Sequence, residues 1–419
     1  MLGDTENELL PTRGTHEHMR ARKYRIPITM NLNRPALGLA AIGIVSQASV
    51  VQAAEHEQLA ALQTTLPATT ISGYVDTSAE WNFGAGTANL PPYRFNSPNK
   101  VDGFNLDVIQ LRIDKPLDES DWAAGYRADL WFGPDANALN TTSTGANTSD
   151  FAVRQAYVAL RAPVGTGLDL KLGVFDSIIG YESIESDVDP NFTRSYGNTI
   201  EPTTFTGLLG SYRFSDVVAA SAGIANTTGP SINGRAFPTP PNDGGNMAES
   251  FKTYMVSLTL TAPQSCGWAA GTSLQFGWVN GFFSTGPGAG FTQSSWYVGG
   301  MIPTGVTGLT VGLAWDYKEY RDSPLDDWAL AGYGSYQATQ KLSLHGRLDY
   351  FNSGEGAGSL KNFALTGTVQ YDLWKNVLSR LELRWDHSGN GVDQFGGTIP
   401  GEPDSKNAWM LALNIIYRF

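Results

Sequence analysis

The chain is expected to fold as an all-β, transmembrane antiparallel β-barrel of about sixteen strands, with short periplasmic turns and long extracellular loops. Three observations carry this expectation. Segments in which apolar and polar residues alternate recur along the chain, the mark of strands with two unlike faces. The connections between them are alternately long and tight. The chain also ends on such a segment, Asn407 to Phe419: Trp409, Leu411, Leu413, Ile415, Tyr417 and Phe419 share one face, and Met410, Ala412, Asn414, Ile416 and Arg418 share the other.

Composition agrees with a barrel and excludes other classes. Among 419 residues there are 47 Gly, an aromatic fraction of 11% and a charged fraction of only 16%, which favours many short strands over helices. Beyond the N-terminal region no run of eighteen or more apolar residues occurs, so helical membrane spans are not expected. Barrel strands escape that test, because each shows lipid only its alternate residues. The formal net charge is −12, a poor complement to nucleic acid. Cys266 is the single cysteine, which rules out an intramolecular disulfide and a thiolate metal cluster.

The N-terminus has the pattern of an export signal. Arg20, Arg22, Lys23, Arg25 and Arg34 precede the apolar run from Ala36 to Val45, and Val51-Gln52-Ala53 supplies the small residues of a cleavage site. Residues before Met19 are acidic and polar, so Met19 or Met30 is a candidate start. The expected organisation is an N-terminal extension and signal peptide over 1–53, a short periplasmic lead over 54–70, and the barrel over 71–419.

The first strand, Ile71 to Phe83, alternates for thirteen residues, longer than ordinary globular strands and suited to a tilted membrane crossing. In the second, Phe104 to Lys115, the apolar phase slips between Val108 and Ile109 as at a β-bulge. Trp122 to Phe132, Val153 to Ala162 and Leu168 to Phe175 follow, and eleven more strands are expected near 204–214, 217–226, 251–262, 272–280, 292–302, 309–318, 328–338, 341–351, 363–373, 377–387 and 408–419. An even count returns both ends to one side of the membrane.

Connections after odd-numbered strands are long, near 84–103, 133–150, 176–203, 227–250, 281–291, 319–327, 352–362 and 388–407. Those after even-numbered strands are tight, for example Ser215-Asp216 and Thr339-Gln340. A soluble sandwich or propeller has no reason to alternate in this way.

With the apolar faces outward, Trp81, Phe83, Trp315, Tyr317, Trp385, Trp409, Tyr417 and Phe419 fall near strand ends, where interfacial aromatic girdles belong. The opposite faces then line a lumen carrying the expected pore-wall residues Arg127, Asp129, Lys171, Arg213, Arg347, Arg380 and Arg384. Charges inside a barrel must be paired or wetted. The third long loop is the most acidic, with Glu182, Glu185, Asp187 and Asp189 against the single cation Arg194. These five are the expected pore constriction, whose carboxylates would stand opposite the wall arginines and set a transverse field that favours cations.

Catalytic and metal motifs are weak. Asp187-Val188-Asp189-Pro190-Asn191 imitates the start of a calcium loop, yet Phe192 and Asn198 stand where Gly and Glu are required. His387-Ser388 with Asn390 is the one candidate for nucleophilic catalysis, and neighbours on one strand end form such an arrangement poorly. His345, beside Arg347 on the lumen face, is expected to be a pore-wall polar group. Neither an enzyme nor a cofactor is expected.

Several segments are similar to a known family. Gly73-Tyr74-Val75-Asp76, Gly125-Tyr126-Arg127-Ala128-Asp129, Gly133-Pro134-Asp135-Ala136, Lys171-Leu172-Gly173-Val174-Phe175 and Ile179-Gly180-Tyr181-Glu182 resemble the OmpL-like β-barrel porins. The resemblance implies a Gram-negative outer-membrane porin, a water-filled channel for passive diffusion of ions and small hydrophilic solutes. Its implied partners are outer-membrane lipid, those solutes and, as is typical of sixteen-stranded porins, two further copies in a homotrimer. The alternative is an adhesin or receptor barrel that uses its long extracellular loops.

Overall fold

The computed structural model describes residues 68–84, 86–139, 141, 149–236, 251–284, 290–321, 326–354 and 359–419. The expected signal region, 1–53, and nearly all of the lead lie outside them. Sixteen strands run β1 Thr70–Phe83, β2 Gly103–Lys115, β3 Ala124–Phe132, β4 Phe151–Ala162, β5 Leu168–Asp176, β6 Thr204–Arg213, β7 Val218–Ala225 and β8 Thr253–Thr261. They continue as β9 Ser273–Ser284, β10 Gly290–Pro303, β11 Leu309–Tyr320, β12 Asp326–Gln337, β13 Leu342–Ser353, β14 Leu360–Trp374, β15 Val377–Ser388 and β16 Asn407–Arg418. Each pairs antiparallel with its sequence neighbours, and β16 pairs with β1 to close the barrel.

Closure leaves no free sheet edge, which satisfies every strand's backbone inside lipid. The seam register runs from Tyr74 opposite Arg418 to Phe83 opposite Trp409. Beyond it, Phe419 and Gly73 exchange backbone hydrogen bonds of 2.9 and 3.0 Å. Glycine is required there: a Cβ on Gly73 would stand 2.0 Å from the Gln110 carbonyl oxygen and 2.8 Å from the Phe419 ring. Gly73→Val should therefore loosen the seam by roughly 1–3 kcal/mol. A lowered temperature for loss of the compact, heat-modifiable gel band would register it.

Two bulges set which side chains reach the lumen. On β2 the register skips Asp107, so that Asp107 and Val108 both turn inward and are buried. The slip is one residue nearer the N-terminus than the apolar pattern implied, because Val108 is an interior residue packed near Tyr74 and Trp131. On β4 the register jumps from Gln155 to Val153, and Arg154 and Gln155 both point inward. Simple alternation hides Arg154 among lipid-facing positions.

The outer surface follows the sequence pattern, with Trp81, Phe83, Trp409, Tyr417 and Phe419 exposed at the strand ends. The loops differ from expectation in one half of the barrel. Strands β9 to β14 extend further than the alternation shows, so the connections after β9, β11 and β13 shrink to 285–289, 321–325 and 354–359.

Candidate pore constriction

Three of the long connections carry groups that face inward. Loop 1 (84–102) brings in Tyr93, Arg94, Phe95 and Lys100, and loop 2 (133–150) contributes the short helix α1, Pro134–Leu139. Loop 3 (177–203) carries helix α2 at Tyr196–Ile200. Ser195 caps α2 by accepting a hydrogen bond from the Asn198 amide.

Loop 3 reaches strands on many sides of the barrel. The Ile178 carbonyl accepts from Gln275 Nε2 on β9 at 2.7 Å, and Tyr181 stacks on Tyr333 of β12 at a centroid distance of 4.0 Å. Asp187 pairs with Arg418 on β16 at 3.3 Å. Asn191 donates to Thr368 on β14 at 2.6 Å, and Tyr196 donates to Asp386 on β15 at 2.6 Å.

The strongest anchorage comes from β13 and β15. Arg347 donates to Glu182 at 2.9 Å and to the Thr193 carbonyl at 2.6 Å. Arg380 donates to the carbonyls of Ser186, Asp189 and Asn191 at 2.6, 2.7 and 2.8 Å. Arg384 donates to the Arg194 carbonyl at 2.7 Å and to Asp386, and its guanidinium lies 3.9 Å from the Tyr93 ring centre. Between the arginines, Glu382 accepts from the amides of Phe192 and Thr193 at 2.6 and 2.9 Å. The three arginines are at most 1% exposed. They hold the loop's main chain and do not line water, which corrects the expectation that they face the loop across an open bore.

The loop carboxylates are matched in the same manner. Glu182 also accepts from the Ser195 amide at 2.7 Å. Glu185 pairs with Arg112 at 2.5 Å and with Arg154. Asp189 pairs with Arg194 at 3.3 Å and accepts from the Asn191 amide. These partners also occupy the would-be calcium loop. The five expected constriction residues are thus together inside the barrel, but as ion pairs and not as an acidic ring.

Wall residues divide into two groups. Asp129 accepts from Arg112 at 2.7 Å, Arg154 and Gln155, beneath Glu185. Arg127 pairs with Asp114 at 3.2 Å, and Lys171 lies 4.8 Å from the Tyr157 ring centre. Arg213 stands apart, half-exposed at the β6–β7 turn and paired with Asp216. Arg112, Arg154, Arg94 and Lys100 were not foreseen. A bulge displaced the alternation around Arg154, whereas Arg112 lies on the inward face that the slip on β2 implies. Lys100, bound to Asp107 and Asp135 at 2.7 and 2.6 Å, and Arg94, bound to Asn198 and Glu201, belong to a loop with no periodicity.

Burial and pairing pull the loop carboxyls in different directions. Burial would raise Glu185, but Arg154, Arg112 and Arg127 outweigh it and hold it down at about 2. Burial and nearby acidic charge push Asp187 up, and burial raises Glu201 to about 7. A depressed carboxyl adds to docking as pH rises from 2 to its ordinary 4.5 and keeps that contribution above; a raised one contributes fully below 4.5 and loses that contribution as pH climbs to 7. Loop 3 should therefore sit most firmly near pH 4.5. Current noise in planar bilayers should be lowest there and increase both toward pH 2 and toward pH 7.

The sequence matches the family model described as beta-barrel porin-2, OmpL-like, over residues 68–419. The chain belongs to the OmpL-like β-barrel porin family. Its structural neighbours carry the same architecture. The outer-membrane channel DcaP of Acinetobacter baumannii superimposes with a TM-score of 0.57 at 14% identity, covering 86% of this chain and 100% of that one. An anion-selective porin from Comamonas acidovorans gives 0.56 at 13% identity, covering 84% and 99%. Salmonella typhi OmpF gives 0.51 at 15% identity, covering 84% and 97%. At such identities the likeness concerns the fold. No curated protein matches the sequence. The porin resides in the outer membrane and forms a channel for passive diffusion.

Proposed function

We propose that this porin is a narrow diffusion channel whose bore is set by loop 3, admitting ions and small hydrophilic solutes down their gradients. The observation that carries the reading is the anchorage of loop 3 to Arg347, Arg380 and Arg384 by main-chain hydrogen bonds, inside a closed sixteen-stranded barrel. Constriction then arises from the loop's position. Its carboxylates are neutralised locally by Arg347, Arg112, Arg154, Arg418 and Arg194, so ionic selectivity is weak.

No catalytic group is needed for this. His387 bonds Asn407 at 2.9 Å, whereas Ser388 donates to Asn390 and the Val392 carbonyl, an arrangement that does not activate the serine. A homotrimer in outer-membrane lipid is part of the proposal. It is supported by the Vibrio cholerae outer-membrane protein OmpT, which has a trimer form.

The test is reconstitution of refolded protein in planar bilayers. Discrete, small current steps with a reversal potential near zero in a salt gradient are expected. A folded protein that passes no current would contradict the channel and favour an adhesin.

A further inference from the structure

Charge is distributed unevenly around the wall. Strands β7, β8, β9 and β10 contain no Asp, Glu, Lys or Arg on either face, while each of the other strands carries at least one. One quarter of the barrel is therefore an uncharged lane running from mouth to turn. Three of its inward side chains offer hydrogen-bonding atoms with no protein partner although all are buried: Thr253 Oγ1, Gln275 Oε1 and Tyr297 OH. Buried polar atoms of this kind normally have partners.

Loop 3 meets this lane differently from the rest of the wall. Opposite β13 and β15 it is held by buried charges. At the lane, Ile178 and Ile179 pack into an apolar cluster with Phe205, Met255 and Val279. Gly277 leaves the space that Ile179 fills, since a Cβ there would lie 2.2 Å from Ile179 Cγ2. Separating an apolar contact costs less than stranding a buried charge, so the loop parts from the wall here first.

We infer that solutes cross along the β7–β10 lane, sealed by Ile178 and Ile179, and that the class it suits is neutral and hydrogen-bonding: polyols and sugars. A neutral hydroxylated solute satisfies Thr253, Gln275 and Tyr297 in passing. An ion entering the same lane loses hydration and meets no countercharge on the lane's four strands, Asp316 of β11 standing beyond the edge opposite Tyr297. This inference rests on the channel reading above.

The experiment combines liposome swelling in a neutral pentose with reversal potentials in a salt gradient. Ile179→Ala, with Ile178→Ala as a second opening variant, should raise the swelling rate several-fold and leave the reversal potential unchanged. Ser257→Asp places a carboxylate at the lane's mid-height and should move the reversal potential toward cations, whereas Ser257→Asn should not. A conducting protein in which neither isoleucine variant speeds sugar entry, or in which Ser257→Asp leaves selectivity unchanged, overturns the lane. Wild-type protein that admits neither salt nor sugar overturns the channel reading itself, and the lane with it.

Discussion

Arg347→Met should release loop 3 and enlarge the channel. The guanidinium is fully buried and ties together Glu182, Asp349, Thr193 and the Arg194 carbonyl. Removing it strands two carboxylates, Glu182 and Asp349, in a site where neither is exposed. Breaking a buried pair by deleting one partner costs roughly 3–5 kcal/mol, more than the docked loop can absorb without moving. The barrel itself should survive, because its strands are held by the closed ladder. Expected results are a larger unitary conductance, faster proteolysis between residues 177 and 203, and an unchanged heat-modifiable band. Arg347→Lys should restore little, since an ammonium cannot span the guanidinium's several acceptors.

Glu185→Gln should have the second largest effect, on selectivity as well as on docking. Glu185 is the meeting point of Arg112 and Arg154, which also share Asp129. Its loss leaves two guanidinium groups facing Asp129 and Asp176 alone. Arg154 is buried and must stay near its remaining partners, but Arg112 is about 20% exposed and can turn toward water. The freed positive charge should shift the reversal potential toward anions. Because the wild-type carboxyl is held near 2, wild type should show the same shift only in strong acid, while the variant shows it at neutral pH. A double-mutant cycle with Arg154→Met should give a coupling of about 1–3 kcal/mol.

Much of the architecture was legible because lipid and lumen impose opposite demands on alternate residues. The strand from Leu342 to Tyr350 shows it directly, with Leu344 and Leu348 outward and Arg347 and Asp349 inward. Loop 3 stood out in the sequence by its charge. The identity of its partners was not legible: Arg154 is displaced by a bulge, and Arg94 and Lys100 lie in an aperiodic loop without a pattern that marks an inward face. An acidic loop facing arginines was expected to leave a field across water; in the structure its carboxylates are in direct contact with Arg347, Arg112 and Arg418. The quarter of the wall without charge, strands β7 to β10, can be read from the sequence of those strands. Its meaning depended on learning that loop 3 covers it with two isoleucines.

The central claim is that loop 3, docked within the barrel, sets the bore. Unitary conductance of wild type should be compared with that of a variant in which residues 183–194 are replaced by a short Gly-Ser linker. Several-fold larger current steps in the shortened protein, with the folded gel band retained, are the predicted result. Equal conductance in the two folded proteins would contradict the account.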